Sequence, residues 1–220
     1  FRSAHSLAEL GVRHGDRVAV VSANSPEWVI TFWACAVLGA VVVPLNAWQK
    51  TEELQFAIDD CGAKVVIADR KRLDLVMPVL DELPAVEHVF LCGDSPHAGE
   101  TRVEKFSMLL ADGSDPGMPT GPIDEDDILA ILYTSGTTGR PKGATITHRQ
   151  TIANLQNIIG SGMLSILTGQ TPPAGPDAPQ DAALLVVPLF HVTGCLATMV
   201  VNYATGAKLV LMPPGRRSEE

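Results

Sequence analysis

The chain has 220 residues, enough for one large domain or two small ones with a sizeable core. Its 46% hydrophobic and 19% charged residues are globular values and exclude a disordered chain. A formal net charge of −9, with no run of Lys and Arg, excludes nucleic-acid binding, which needs clustered cations. Cys35, Cys61, Cys92 and Cys195 form no C-x-x-C pair and no metal-ligand spacing. They read as buried small hydrophobes in a reducing compartment.

The opening segment FRSAHSLAEL has no apolar h-region, so no signal peptide is expected there. It begins without Met, in helical pattern, as a chain cut from something longer would. RVAVVSAN (17–24) reads as a strand. Ser25, Pro26 and Glu27 then start a helix, with a capping hydroxyl, proline at the first helical position and an acid in the first turn. Trp28, Phe32 and Ala36 recur at four-residue spacing before Gly39 ends it. VVVPLN (41–46) is the next strand, and Thr51 is expected to cap a helix that runs to Gly62. KVVIAD (64–69), a helix around 73–82 and HVFLCG (88–93) continue the alternation. Strand–helix–strand repetition predicts a mostly parallel sheet with helices on both faces.

From Asp94 to Asp127 the pattern weakens into a Gly-, Pro- and Asp-rich surface connection, broken by an amphipathic turn or two around VEKFSMLL. DEDD (124–127) has two readings, a metal site or a solvated lead-in to the next strand, and the second is preferred. DILAILYT is that strand. After a glycine-rich segment, Thr147 and Gln150 fit a capping box, and the helix continues through Ile152, Leu155, Ile159 and Ile166. A proline-rich excursion (168–180), ALLVVP, a helix after His191 and AKLVLMP complete the chain. Residues 28–49 and 182–207 carry no formal charge and could span a bilayer on length alone. Gly39, Pro44, Pro188, His191 and Gly194 punctuate them, so buried helix–turn–strand pairs are expected and no transmembrane segment.

The segment YTSGTTGRPKG (133–143) carries the chemistry. Its glycines let backbone N–H groups turn inward and form a concave anion site. Thr134, Ser135, Thr137 and Thr138 add hydroxyls, and Lys142 adds a full positive charge. Pro141 keeps the chain extended before Lys142 and limits where its amine reaches. These choices suit a phosphate chain rather than a plain hairpin or a linker. The segment is neither G-x-x-x-x-G-K-[ST] nor G-x-G-x-x-G.

YTSGTTGRPKGATITH resembles the phosphate loop of the AMP-forming adenylating superfamily, which includes acyl-CoA synthetases, peptide-synthetase adenylation domains and luciferases. Residues 11–46 resemble that family's opening sheet-and-helix region. VVPLFHVTG (186–194) resembles the motif that follows the phosphate loop, and residues 44–69 are nearest to fatty-acid and related acyl-CoA ligases. The resemblance implies an α/β fold of mostly parallel sheets flanked by helices, a partial N-terminal domain of an adenylate-forming enzyme. Residues 1–127 would be a first α/β subdomain and 128–220 the start of a second, with the C-terminal lid domain absent.

It also implies that Thr134, Ser135, Gly136, Thr137, Thr138, Gly139 and Lys142 bind ATP phosphates, and that Lys142 is catalytic. His191, which alone could equally be a satisfied core residue, would border the acyl carboxylate. The implied reaction joins a carboxylate to AMP with loss of pyrophosphate and then passes the acyl group to coenzyme A. ATP, Mg2+ and coenzyme A are the implied cofactors, the last two held mainly by parts outside these residues. No metal ligand is assigned within the chain. Amino-acid-activating relatives place an aspartate just after the His191 position; FHVTGCLATMVV has none, so an uncharged acyl chain is expected, a fatty acid first. Two alternatives stay open: a fatty-acyl-AMP ligase loading a carrier protein, and a non-catalytic nucleotide- or partner-binding module. The 220 residues alone are expected to be inactive and to self-associate through an uncovered apolar face. The expected location is cytoplasmic, free or held at a membrane surface.

Overall fold

The computed structural model describes residues 1–93, 102–110, 117–134, 140–172, 175 and 178–212. Seven strands form the main sheet: β1 (Arg17–Val21), β2 (Val41–Pro44), β3 (Ala63–Asp69), β4 (His88–Cys92), β5 (Val103–Lys105), β6 (Ile128–Thr134) and β7 (Lys142–Thr147). Their spatial order is β5-β4-β3-β1-β2-β6-β7, with every pair parallel except the antiparallel β6–β7 hairpin. The strands on either side of residues 127/128 therefore share one sheet.

Alternate side chains of the central strands feed two cores, as period-2 geometry requires. Val18, Val20, Val42, Val65 and Ile67 face one cluster, against α1 (Arg2–Glu9) and α2 (Pro26–Leu38). Ala19, Val21, Val43, Val66 and Ala68 face the other, against α3 (Thr51–Asp60) and α4 (Arg70–Val76). Trp28, Phe32 and Cys35 are buried on α2. Each of the large side chains contributes roughly 1.5–3 kcal/mol on burial.

Local signals explain most boundaries. The Ser25 hydroxyl accepts the Trp28 N–H at 3.2 Å, Pro26 opens α2, and Gly39 closes it at φ 72°, where a Cβ would be strained. Thr147 and Gln150 satisfy each other's backbone N–H groups and start α5 (His148–Leu167). Three expectations need correction. Thr51 is the first residue of α3 rather than its cap; the chain is tied there by the Lys50 N–H donating to Glu53 at 2.9 Å. The helix expected around 73–82 is α4 followed by a 3-10 turn, Met77–Glu82, tightened by Pro78 at its start. In the weak-pattern region, Val103–Lys105 pairs with β4 as an edge strand, because Val103 has an apolar face to bury there.

A smaller parallel pair, β8 (Ala182–Leu185) and β9 (Lys208–Leu211), packs on the α2 side through Leu185, Leu209 and Leu211. They are joined by a wide π-helical segment, Thr193–Val200, that runs into α6 (Val201–Ala204). The Thr198 hydroxyl reaches the carbonyl five residues back, at Thr193, as a π turn allows. Residues 28–49 are thus helix–turn–strand and 182–207 are strand–turn–helix. Among the described residues no helix is long and apolar enough to cross a membrane.

Candidate nucleotide and acyl site

β6 ends at Thr134 and β7 begins at Lys142, directly opposite in register. Both emerge at the carboxyl ends of the parallel strands, the edge where open α/β sheets bind ligands. The Thr134 hydroxyl lies 3.4 Å from the Lys142 carbonyl. Lys142 is exposed and makes no ion pair with another described residue. Ser135, Gly136, Thr137, Thr138 and Gly139 lie outside the described residues.

The glycine after Lys142 has a geometric cause. A Cβ on Gly143 would meet Ile131 Cγ2 at 2.6 Å and the Tyr133 ring at 3.4 Å. Tyr133 covers that backbone and points to the α3 side, where its hydroxyl donates to Asp60 at 2.6 Å. Burial first, and then this carboxylate, hold the Tyr133 phenol protonated well above its ordinary range. On the far flank, the Arg140 guanidinium sits 5.4 Å over the Phe56 ring.

Period-2 alternation puts Lys142, Ala144 and Ile146 on one face of β7. Ile146 lines a hollow of about 310 Å³ shared with Gln150, Asn154, Val192, Thr193, Leu196 and Ala197. Among the described residues no charged side chain lines it. His191, directly before the lining residues Val192 and Thr193, is exposed, and its Nδ1 accepts the Thr193 N–H at 3.2 Å.

The turn bearing His191 is held by a residue the sequence did not mark. Asn24, just past β1, donates to the Val187 carbonyl at 3.0 Å and accepts the Leu189 N–H. The available signal was an asparagine beside Ser25, which already supplies the helix cap. Gly194 packs on the Pro188 and Val187 carbonyls so closely that a Cβ would collide with Pro188. Near the exposed Trp48, the Phe190 ring meets the indole edge-on at 5.5 Å.

Two other clusters are occupied structurally. Strand order reverses between β1 and β3, a usual ligand crevice, yet Asp69 fills it by accepting from Ala23 N–H at 2.9 Å and pairing with Arg72 at 3.0 Å. The acidic run before β6 is taken up by Arg149, 2.7 Å from both Glu125 and Asp126, and by His14, 2.8 Å from Asp127. Arg149 beside Asp126 holds its carboxyl below the ordinary range.

The chain is 31% identical over 219 residues to 4-coumarate–CoA ligase 2 of Oryza sativa subsp. japonica, covering 96% of this chain and 37% of that one. It is 33% identical over 218 residues to the long-chain-fatty-acid–CoA ligase FadD13 of Mycobacterium tuberculosis, covering 96% and 38%. The crystal structure of the anthranilate CoA ligase AuaEII with anthranoyl-AMP superposes with a TM-score of 0.80 at 26% identity, over 98% of this chain and 38% of that one. The chain thus spans little more than a third of these relatives' length. The AMP-binding enzyme family matches residues 1–220, and the chain belongs to that family.

Proposed function

We propose that these residues form the phosphate-binding and acyl-entry part of an AMP-forming acyl-CoA ligase. One observation carries this reading: Lys142, opposite Thr134 and in no ion pair with another described residue, shares a strand face with Ile146, which lines the hollow. A triphosphate at the first and a carboxylic acid in the second would meet along β7. The carboxylate oxygen attacks the α-phosphorus, the bond from that phosphorus to the bridging oxygen breaks, and its electrons leave on pyrophosphate. Lys142 stabilises the charge that builds on the leaving phosphates. In the second step a coenzyme A thiolate attacks the acyl carbonyl and AMP departs. No proton need be taken from the carboxylate, which is ionised at neutral pH, so His191 orients substrate rather than acting as base.

The hollow lies at the small end of ligand pockets, ~300–1,000 Å³, and the described residues that line it offer no counter-charge for an ammonium. It therefore suits an acid with an apolar body, a fatty acid first and an aryl acid second. The relatives named for long-chain fatty acid and for 4-coumarate bracket the same choice. The described residues hold no cluster of three or more metal-ligating side chains. Mg2+ would therefore be bound with the triphosphate, whose oxygens suit it. A carrier-protein thiol is the alternative acceptor. ATP–pyrophosphate exchange by the full-length protein, across fatty and aryl acids, tests the first step; no exchange with either class would remove the reading. Offering coenzyme A or a carrier protein to the adenylate decides the second.

A further inference from the structure

We infer that Phe56 and Asp60 are positioning residues that brace both flanks of the phosphate-binding segment from α3. They stand four apart on that helix and so share one face. Asp60 accepts the Tyr133 hydroxyl at 2.6 Å, one residue before Thr134. Phe56 takes the Arg140 guanidinium on its ring at 5.4 Å, two residues before Lys142. The two contacts have different chemistry and act on opposite ends of residues 135–139. Both contacts lie on the α3 face of the sheet, whereas Lys142 shares the opposite face of β7 with Ile146, which lines the hollow, so Phe56 and Asp60 act from behind the proposed ligands.

A cradle made of amides binds well only when its ends are fixed, because ordering it on binding costs affinity. A one-turn helical clip fixes both ends from one rigid element. It also ties the segment to the loop after β2, since α3 begins at Thr51 and the Trp48–Phe190 contact lies just before it. The role rests on the proposed nucleotide site, but the brace itself can be measured without nucleotide.

The experiment compares wild type, Phe56→Leu, Phe56→Tyr, Asp60→Ala and the Phe56→Leu/Asp60→Ala pair in the full-length protein. Amide hydrogen exchange is read on a peptide covering 128–147, with one covering 63–92 as internal reference. Exchange of the first peptide should rise about 2- to 5-fold in Phe56→Leu and in Asp60→Ala, more in the pair, with the reference peptide unchanged. Phe56→Tyr, which keeps the ring, should restore it. In pyrophosphate exchange the KM for ATP should rise by a similar factor while the KM for the acid holds. Unchanged deuterium uptake at 128–147, equal loosening of both peptides, or failure of Phe56→Tyr to restore it each overturns the brace. A wild type without pyrophosphate exchange overturns the nucleotide reading and leaves the brace judged on deuterium uptake.

Discussion

Asn24 Oδ1 accepts the backbone N–H of Leu189 at 2.8 Å across 165 residues of chain. Its Nδ2 donates at 3.0 Å to Val187 and lies 3.4 Å from the Leu185 carbonyl. One amide thus fastens the end of β8 and the turn before His191 to the carboxyl edge of β1. Asn24→Ala leaves these backbone groups without their partner, a cost of about 1–3 kcal/mol. Thermal unfolding should shift down by roughly 2–4 °C per kcal/mol for a chain of this size. In pyrophosphate exchange, the KM for the acid should rise more than that for ATP, because His191 moves and Lys142 does not. A wild-type melting curve in this variant would contradict the fastening.

Gly194→Ala addresses the same turn from the other side. The added methyl meets the Pro188 and Val187 carbonyls, backbone that cannot rotate away as a side-chain tip can. Overpacking of this kind costs typically about 1–3 kcal/mol. Either the π-helical segment or the His191 turn must shift, so acid binding should weaken together with stability. Calorimetric unfolding at wild-type temperature would show that the space is not constrained.

Lys142→Ala removes the charge without touching a core residue, since Lys142 is exposed. A charge-assisted hydrogen bond is worth roughly 1.5–3 kcal/mol. Adenylate formation should therefore slow by about 10- to 150-fold in the full-length protein, with unfolding unaltered. Unaltered pyrophosphate exchange in this variant would remove the role from the lysine.

The layered fold was legible because its signals are local. Ser25, Pro26 and Gly39 set α2, Thr147 and Gln150 set α5, and β-branched runs set the strands. The proposed phosphate role of residues 134–142 rests on residue types alone, since glycine, hydroxyl and one lysine have few other uses together. The β6–β7 hairpin joining the first sheet was not legible, because strand order depends on pairing with β2, far away in sequence. Asn24, Phe56 and Asp60 were missed for the same reason. Each looks ordinary among its neighbours, and its partner lies 73 or more residues away for Asn24 and Asp60. The Lys50–Glu53 tie at α3 was hidden because the tempting hydroxyl of Thr51 stands one residue later.

Two buried thiols give a pH dependence with a definite sign. Burial pushes Cys35 up to about 12 and Cys61 up to about 11. A raised folded value means stability that is complete below the unfolded thiol value, near 8.5, and is lost as pH rises through the folded one. Stability should be flat in this respect to about pH 8 and decline between about 9 and 12. Cys35→Ala should lessen that alkaline decline. Neither thiol should react with a disulfide reagent at pH 8 until the chain unfolds. Rapid labelling of native Cys35 at pH 8 would contradict its burial.

Residues 1–220 alone are expected to self-associate through α5. Ile152, Ile159, Met163 and Leu167 recur at seven-, four- and four-residue spacing and are all exposed, Leu167 at 77%. After Arg149 the helix carries no charge to keep that stripe in water. Leu184 and Val210 on the β8–β9 pair, and Val186 just after β8, are further exposed apolar residues. An apolar stripe like that on α5 marks an interaction surface. Sedimentation at tens of micromolar should show dimers or larger species, and Met163→Glu with Leu167→Lys should shift them toward monomer while far-UV circular dichroism is retained. A monodisperse wild-type monomer under those conditions would mean the stripe is tolerated in water and that association has no part in how these residues behave.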